Sequence, residues 1–445
     1  MLRKIIALIG TVALTHSFAA VTLSVSPSHP SLLAKDKQTT MVEIRIAGVQ
    51  PPVNEKHRLP VNMSIVLDRS GSMDGDRLEQ AKEAARTVIG MLGPNDIISL
   101  ISYSDEAETV VSATKLNERA DVLRAIDNIE SSGNTALFAG VSKGLSEVRK
   151  FKDRQHVNRV VLLSDGMANV GPSSTAELAS LGRSAGRDGI SVTTIGLGEG
   201  YNEDLMSQLA LSSDGNHAFA ANSEDIAGIF QRELGSTFSV VAQSIQVNII
   251  CPAGVKPIRV LDQDAEVRGQ NVTLSFNQIY GQQNKSLLLE VEVAGKEKGS
   301  RMDLAQVAVN YDDPSSGRRE ALQGSAGVQF TADIAVVRRD VNKDAIIQAS
   351  KARVNMVSKQ AMEMRDKGNY AGAKAIMDDN AQQLQSQASE LNIPQLRDES
   401  QVIEDEKKVL AAPAPAAVYN VQRKAMKAKQ AERSSQYSIQ DSSER

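Results

Sequence analysis

The 445-residue sequence has one cysteine, Cys251, and no tryptophan. A single cysteine cannot form a disulfide within the chain, so burial and polar contacts must hold the fold together. No apolar stretch approaches the roughly twenty residues that a membrane-spanning helix needs. The net charge is only −4, and the body of the chain has no long basic stripe, which argues against nucleic-acid binding.

The N-terminus has the features of an export signal. Arg3 and Lys4 precede a short apolar segment, and residues 17–19 offer the small side chains that signal peptidase recognises. A membrane anchor is the alternative, but this apolar segment is too short to span a bilayer. We therefore predict a signal peptide over residues 1–19 and an exported protein, periplasmic or secreted, with no membrane segment after cleavage. Export without disulfides indicates a bacterial protein.

The chain then changes pattern. Residues 20–55 and 237–335 contain short alternating runs between turn residues, which indicates antiparallel strands. We predict that the first segment pairs with the second in one β-sandwich, because isolated strands need partners. Between them, residues 56–236 alternate strands with helices, as in a doubly wound, mostly parallel, Rossmann-like α/β sheet. The α/β domain is therefore predicted to be inserted in the sandwich or flanked by it.

The C-terminal part is predicted to be helical and then disordered. Two apolar stripes in residues 336–411, broken near Gly368, predict a helical hairpin, to which residues 401–410 can add a third short helix. Residues 412–445 begin with an Ala-Pro linker and continue as a polar tail, which we predict to be disordered. The basic side chains of this tail can contact anionic partners, although a solvated tail is the favoured interpretation. These side chains are Arg423, Lys424, Lys427, Lys429 and Arg433.

One stretch of the α/β domain has the pattern of a ligand site. The apolar run at residues 65–67 predicts a buried strand that ends in Asp68, and Ser70 and Ser72 follow at alternate positions. Gly71 allows a sharp turn, and a helix is predicted to begin near Arg77. Alone, Asp-x-Ser-x-Ser before a helix is explained more readily by helix capping.

Two further loops change this interpretation. Thr135 lies in a polar loop before a predicted helix, and Asp165 follows a predicted buried strand. A doubly wound sheet brings such loops together at its carboxyl edge. Their oxygens are hard donors, which suit Mg²⁺ or, alternatively, Mn²⁺ or Ca²⁺. Three hydroxyls and two carboxylates leave the metal under-neutralised with an open position, so a carboxylate from another molecule is the natural last ligand.

Three stretches resemble the motifs of a known family. Residues 68–73, 133–139 and 163–166 resemble, in order, the three metal-site motifs of the von Willebrand factor type A (vWA) domain, also found as the integrin inserted domain. Later motifs at residues 196–205 and 229–234 resemble the bacterial branch of the same family. The resemblance covers about residues 61–236. Asn134 departs from the glycine that the family often has at this position.

The resemblance implies a metal-ion-dependent adhesion site. It implies that Ser70, Ser72 and Thr135 contact the metal through their hydroxyls, while Asp68 and Asp165 act partly through water. It also implies a protein-binding module, used in adhesion or assembly. The partner is expected to be a protein that presents an Asp or Glu side chain.

An enzyme is the first alternative, because a metal near Asp68 can assist hydrolysis. However, none of the five histidines lies in the three loops, and the sequence has no nucleophile elbow or phosphate loop. Residues 196–200 have glycines at alternate positions, but not with the spacing that binds dinucleotides. Cys251 has no histidine near it in sequence and is interpreted as a small buried thiol. We therefore predict a protein that is not an enzyme.

Two non-enzymatic alternatives concern the use of the site. The domain can be a degenerate structural module that binds no metal, but the presence of all five ligand positions argues against this. It can also be a subunit or scaffold of a larger envelope complex, in which the metal site fastens an interface. Both adhesion to a foreign partner and this assembly role fit the sequence.

Overall fold

The structure, a computed structural model, describes residues 20–49, 59–116, 119–222 and 225–436. The predicted signal peptide, the predicted boundary between residues 55 and 56, and residues 437–445 of the predicted tail lie outside these ranges. Within these ranges, no helix is both long enough and apolar enough to cross a membrane.

The strands, in chain order, are β1 (Val21–Pro27), β2 (Ser31–Leu33), β3 (Gln38–Gly48), β4 (Val61–Asp68), β5 (Ile97–Tyr103), β6 (Ala107–Lys115), β7 (Val157–Ser164), β8 (Ser191–Leu197), β9 (His217–Ala220), β10 (Val240–Ile250), β11 (Val255–Val260), β12 (Glu266–Arg268), β13 (Asn271–Tyr280), β14 (Asn284–Val293), β15 (Arg301–Asp313) and β16 (Arg318–Thr331). The helices are α1 (Asp76–Met91), α2 (Arg119–Asp127), α3 (Leu137–Arg149), α4 (Thr175–Arg187), α5 (Glu203–Ser212), α6 (Asp225–Thr237), α7 (Ile334–Arg339), α8 (Lys343–Asp366), α9 (Tyr370–Glu390), α10 (Gln395–Leu410) and α11 (Ala416–Ser435).

The α/β domain is built on one six-stranded sheet in the order β6-β5-β4-β7-β8-β9. Five strands are parallel, and β6 pairs antiparallel with β5 at one edge. Successive residues of β4 face opposite sides, so Ile65 enters one hydrophobic core and Val66 enters the other. The predicted doubly wound, mostly parallel sheet is confirmed.

Two further sheets form the β-sandwich around a shared core. One sheet has the order β1-β3-β14-β11, and the other has the order β12-β13-β10-β15-β16-β2. Ile44 of β3, Val247 of β10 and Leu289 of β14 meet in this core. Because β1 to β3 precede the α/β domain and β10 to β16 follow it, the domain interrupts the sandwich in the sequence. Cys251 is buried in the same core, and this burial raises the pKa of its thiol to about 11.

A buried arginine joins the α/β domain to the sandwich. Arg159 of β7 has no exposed surface. Its guanidinium donates to Oε2 of Glu233 in α6 at 3.2 Å and to the hydroxyl of Tyr280 in β13 at 2.6 Å. A charge in this position is tolerated because a carboxylate and a hydroxyl replace the water that it loses.

The C-terminal unit contains more helix than the sequence predicted. The predicted break lies between the end of α8 at Asp366 and the start of α9 at Tyr370, and α10 packs beside this pair. The prediction of a disordered tail is wrong for residues 416–435, which form α11. This helix contacts α5 and β9 of the α/β domain as well as α8. The charged residues of this helix suggested a solvated tail, because the residues that pair with them lie far away in the sequence.

Ion pairs fasten α11 to the start of α5. Arg423 pairs with Glu203, with Asp204 at 2.8 Å and with Asp366 of α8 at 2.7 Å. Lys424, which is 4% exposed, reaches a second oxygen of Glu203 at 2.6 Å. The solvated-tail interpretation is therefore wrong for these two cations. We call this cluster the α11 clamp, and it consists of Arg423, Lys424 and Lys427 with Glu203, Asp204 and Asp366.

Acid is expected to release α11. Burial opposes ionisation of Glu203 and Asp204, but the cations of α11 outweigh it, so the pKa of each carboxyl lies below its ordinary value of 4.5 or 3.8. A lowered folded-state pKa means that the stabilisation is complete above these ordinary values and is lost as the pH falls through the lowered ones. Hydrogen exchange should show residues 416–435 protected at about pH 6 and exchanging at about pH 3, after correction for intrinsic rates.

Strand β4 serves as the internal control and should stay protected at both pH values. A Glu203→Gln/Asp204→Asn variant should expose the same α11 peptides already at neutral pH. Equal protection of α11 in this variant and in the wild type would contradict the electrostatic explanation.

Candidate functional site

The candidate site lies where the strand order of the sheet reverses. β4 is paired with β5 on one side and with β7 on the other, and all three are parallel. The loops after β4 and β7 therefore leave the same edge in opposite directions, which opens a crevice. We call the group in this crevice the oxygen site. Its members are Asp68, Ser70, Ser72, Thr135 and Asp165.

The loop after β4 does not cap α1 with its serines. Ser70 precedes a short 3₁₀ turn, Gly71–Met73, without a capping hydrogen bond from its side chain. Ser72 lies inside this turn, and the N-cap position of α1 is Gly75. Neither serine is therefore explained by helix capping, which was the simpler interpretation of the motif. Gly71 N–H donates to the carbonyl of Gly133 at 2.9 Å, which holds this loop against the loop that carries Thr135.

Asp68 is a buried carboxylate with several donors around it. Its side chain accepts the Ser70 backbone N–H at 2.9 Å, the Ser164 hydroxyl at 2.6 Å and the Tyr103 hydroxyl at 3.2 Å. Burial raises the pKa of Asp68 and the nearby Asp165 adds to this rise, while the Ser164 and Ser70 hydrogen bonds oppose it. Burial and the charge of Asp68 raise the pKa of Tyr103, so its hydroxyl stays a proton donor.

A chain of short contacts links the two serines to the second carboxylate. The hydroxyls of Ser70 and Ser72 lie 3.2 Å apart, and the Ser72 hydroxyl donates to Oδ1 of Asp165 at 2.7 Å. Asp165 and Ser70 are buried, whereas Ser72 is exposed at the mouth of the crevice. The chain of contacts therefore goes from the buried Ser70 through the exposed Ser72 to the buried Asp165.

Thr135 faces the same point from a third loop. A Cβ atom added to Gly166 would lie 3.0 Å from Oγ1 of Thr135 and 3.4 Å from Oγ of Ser72. Glycine at position 166 thus leaves room between the two hydroxyls. The Thr135 backbone N–H donates to the side chain of Asn169 at 2.8 Å, which ties its loop to the loop after β7. The structure therefore brings all five residues of the oxygen site together.

Four neighbouring residues were not predicted from the sequence. Tyr103 and Ser164 orient Asp68, and Asn169 holds Thr135. The fourth, Arg77, donates from Nη1 to Oδ2 of Asp165 at 2.6 Å. Ser164 directly precedes Asp165, and Tyr103 ends the strand beside β4 in register with Asp68. Strand pairing would therefore have identified Tyr103, but only once the sheet order was known.

The donor set suits a hard divalent cation. Hydroxyl and carboxylate oxygens are the ligands that Mg²⁺, Mn²⁺ and Ca²⁺ accept. Among the described residues, no group of three or more His, Cys, Asp or Glu side chains is arranged to hold a metal. Any metal at the oxygen site must therefore use hydroxyls beside its two carboxylates, and this leaves the remaining positions to water or to another molecule.

The described histidines lie away from the oxygen site. His29 contacts the hydroxyl of Ser28, His156 contacts Asp153, and His217 contacts Thr194. Burial lowers the pKa of His217 to about 4, so this imidazole is neutral near pH 7. None of these contacts provides the oxygen site with a general base of the usual histidine type.

A shallow groove borders the oxygen site. It lies between the loop after β5, helix α3 and the loop after β7, and it begins at Ala136, which follows Thr135 directly. Phe138, Val170 and Pro172 give it an apolar lining, and Lys143 contributes a cation. Met167, two residues after Asp165, is 60% exposed on the same loop. Asp105 and Glu106 also line the groove, so the surface next to the oxygen site combines apolar side chains with charges of both signs.

The chain is similar to several known sequences and structures. An uncharacterized protein of Synechocystis sp., sll0103, is 27% identical over 77% of this chain and 84% of its own length. The inter-alpha-trypsin inhibitor heavy chain H3 of Pongo abelii is 30% identical, but the match spans only 36% of this chain and 19% of that one. A solved von Willebrand factor type A structure from Catenulispora acidiphila shares the fold with a TM-score of 0.68 and 16% identity, covering 90% of this chain and 91% of that chain.

The α/β domain also matches a family model. Residues 62–232 fit the model of the von Willebrand factor type A domain. The match begins in β4 and ends in α6, so it includes every loop of the oxygen site and excludes the sandwich and the C-terminal helices. VWA domains are modules that generally mediate protein–protein interaction. The chain therefore contains a von Willebrand factor type A domain at residues 62–232, built into a longer protein.

Proposed function

We propose that this VWA domain is a metal-dependent protein-binding module of an exported bacterial protein. Ser70, Ser72 and Thr135 hold Mg²⁺, or Mn²⁺ or Ca²⁺ in its place, through their hydroxyls. Asp68 and Asp165 supply negative charge, partly through water. A protein partner completes the coordination with an Asp or Glu side chain, in adhesion or in assembly.

The observation that carries this proposal is the convergence of hydroxyls from two loops beside Asp165 and Gly166. The Ser72 hydroxyl lies 2.7 Å from Asp165, and the space next to Gly166 opens between Ser72 and Thr135. Two carboxylates balance the charge of a divalent ion without exceeding it, so an incoming carboxylate can take an open position on the cation without meeting a surplus of negative charge. The apolar groove beside Thr135 adds area for a protein partner.

The proposed module binds and does not catalyse. A hydrolase would need a group that moves a proton next to the bound substrate. Tyr103 and Ser164 donate to the buried Asp68, so their hydroxyls are engaged in holding the carboxylate. In this arrangement the chain's own residues orient oxygens, and the metal supplies Lewis-acid attraction for a carboxylate.

Replacing Asp165 with asparagine is expected to abolish metal binding. The substitution keeps the shape of the side chain but removes one of two negative charges at the oxygen site. Calorimetric titration of the full mature chain with Mg²⁺ and Mn²⁺ should show binding in the wild type and a loss of at least about a hundredfold in the variant. The titration should be repeated with acetate present, because a small carboxylate can occupy the position of the partner's side chain.

Asp74→Asn is the matched control, because Asp74 lies in the loop after β4, near Ser72, but is exposed and accepts its hydrogen bond from Ser131, which is not part of the oxygen site. It removes the same charge and should leave the metal affinity nearly unchanged. Failure of the wild type to bind either metal, with and without acetate, would refute the metal-dependent mechanism. Equal losses in Asp165→Asn and Asp74→Asn would show that only the overall charge matters.

A further inference from the structure

A positive charge of the chain itself lies at the oxygen site. Arg77, in the first turn of α1, donates from Nη1 to Oδ2 of Asp165 at 2.6 Å and to the carbonyl of Ser72 at 3.2 Å. The side chain of Asp165 has no exposed surface, whereas that of Arg77 is 46% exposed. The guanidinium therefore extends from the solvent side into the crevice, where it contacts a buried carboxylate.

This contact uses oxygens that a metal would need. Oδ1 of Asp165 is engaged by Ser72, and Oδ2 is engaged by Arg77. A divalent ion at the oxygen site would replace the hydrogen from Ser72 and would stand next to a guanidinium of the same sign. Two like charges a few ångströms apart repel each other strongly where water is partly excluded. The metal and the inserted guanidinium are therefore mutually exclusive, or nearly so.

Arg77 also has a way out of the crevice. Nearly half of its side chain is exposed, and it rises from the start of a helix rather than from the interior of the sheet. One terminal nitrogen lies over Gly198, where an added Cβ would be 3.7 Å away. A long arginine side chain can rotate about its own bonds into the solvent on this side without any movement of the backbone.

We propose that Arg77 is an internal counter-ion that competes with the divalent cation for Asp165. In the metal-free protein it neutralises the buried carboxylate, and metal binding requires its displacement. The apparent metal affinity is the intrinsic affinity multiplied by the fraction of molecules in which the guanidinium is withdrawn, so a smaller withdrawn fraction gives weaker binding. This inference rests on the metal binding proposed above. It adds that Arg77 keeps the metal affinity lower than the oxygen ligands alone would give.

The test is a calorimetric titration of the full mature chain with Mn²⁺ in the wild type and in Arg77→Gln. Glutamine is shorter and neutral, so it cannot stand in for the cation at Asp165. We expect Arg77→Gln to bind Mn²⁺ about five- to tenfold more tightly. The substitution removes the half-exposed, charged hydrogen bond from Arg77 to Asp165, which stabilises only the metal-free state. Arg77→Lys should fall between the two, because lysine keeps the charge but not the planar geometry.

Arg69→Gln is the matched control. Arg69 lies in the loop between β4 and α1, and its side chain donates to Ser132 rather than to Asp165. It removes the same charge from the neighbourhood, so an equal rise in affinity would show a general field effect and overturn the competition. An unchanged or weaker affinity in Arg77→Gln, with the wild type still binding Mn²⁺, would also overturn it while leaving the proposed function intact.

Thermal melting gives a second readout that does not depend on calorimetric heat. Without metal, Arg77→Gln should melt below the wild type, because Asp165 loses its counter-ion while buried. With saturating Mn²⁺ this difference should shrink or reverse. If the difference in melting temperature is the same with and without Mn²⁺, Arg77 acts only as a structural contact, and the competition is refuted. Binding of Mn²⁺ by neither protein would refute the metal mechanism itself.

Discussion

Glu233→Ala is expected to destabilise the chain by about 3–5 kcal/mol, the usual cost of leaving a buried charge without its partner. Glu233 is 5% exposed and accepts the Arg159 guanidinium at 3.2 Å. It also accepts hydrogen bonds from Thr193 at 3.2 Å and from Asn216 at 3.1 Å. Removing the carboxylate leaves the charge of Arg159 inside the junction between the VWA domain and the sandwich. The midpoint of urea denaturation, followed by circular dichroism, should fall accordingly.

Asp121→Ala provides the comparison. Asp121 pairs with Arg124 on the surface of α2, and both side chains are more than half exposed, at 58% and 72%. Its removal should cost no more than about 1 kcal/mol, because water solvates the remaining arginine. The double variant Arg159→Met/Glu233→Leu should recover much of the loss, since it leaves no unpaired charge. A loss as large in the double variant as in Glu233→Ala would show that packing, and not charge, dominates this junction.

Gly196→Ala is expected to cost about 3 kcal/mol and to loosen α11 as well. The added Cβ would lie 2.1 Å from Cζ of Tyr201. This ring is 2% exposed and cannot retreat easily, because Lys424 of α11 lies 4.5 Å from its centre and the centre of the His217 ring lies 5.9 Å from it. Displacing the ring would disturb the start of α5, where the α11 clamp is attached. Thermal melting and limited proteolysis of residues 416–435 measure the two effects.

Gly90→Ala is the control with the opposite sign. Gly90 lies in α1, and a Cβ there would meet nothing within 4 Å. Alanine restricts the unfolded chain and favours the helix, so this variant should be as stable as the wild type or more stable by up to about 1 kcal/mol. Proteolysis of α11 at the wild-type rate in Gly196→Ala would contradict the connection between Tyr201 and the clamp.

The fold of the VWA domain and the position of its site were predictable because both depend on local patterns. A buried strand followed by Asp68 and two alternating hydroxyls can be recognised in the sequence, and so can the strand that ends at Asp165. What the sequence could not give is the direction of long side chains. Arg77 was predicted only as the beginning of a helix, and its insertion towards Asp165 depends on how α1 leaves the sheet.

The errors at the C-terminus have a related cause. The residues of α11 were read as a solvated tail because their charges have no partners nearby in the sequence. Arg423 finds its partners at Glu203 and Asp204, which lie 220 and 219 residues earlier in the chain. Arg159 is a similar case, since the sequence of its strand is mostly apolar, and Glu233 and Tyr280, which help to accommodate the cation, lie far away in the sequence. Contacts of this kind depend on tertiary structure and leave no periodic pattern.

The interrupted sandwich has a consequence for the order in which the chain folds during synthesis. β1 and β3 are synthesised before the VWA domain, yet β3 finds its neighbour β14 only when Gln38 can pair with Val293, long after the VWA domain has been made. Until then the hairpin carries an unpaired edge and the apolar face of Ile44 and Ile46, which is the kind of segment that aggregates. The strands of the VWA domain follow one another in the sequence, so this domain can fold before the hairpin finds its partner strand. This hairpin is therefore expected to be vulnerable to aggregation during synthesis, and a holding chaperone bound to residues 21–48 would protect it.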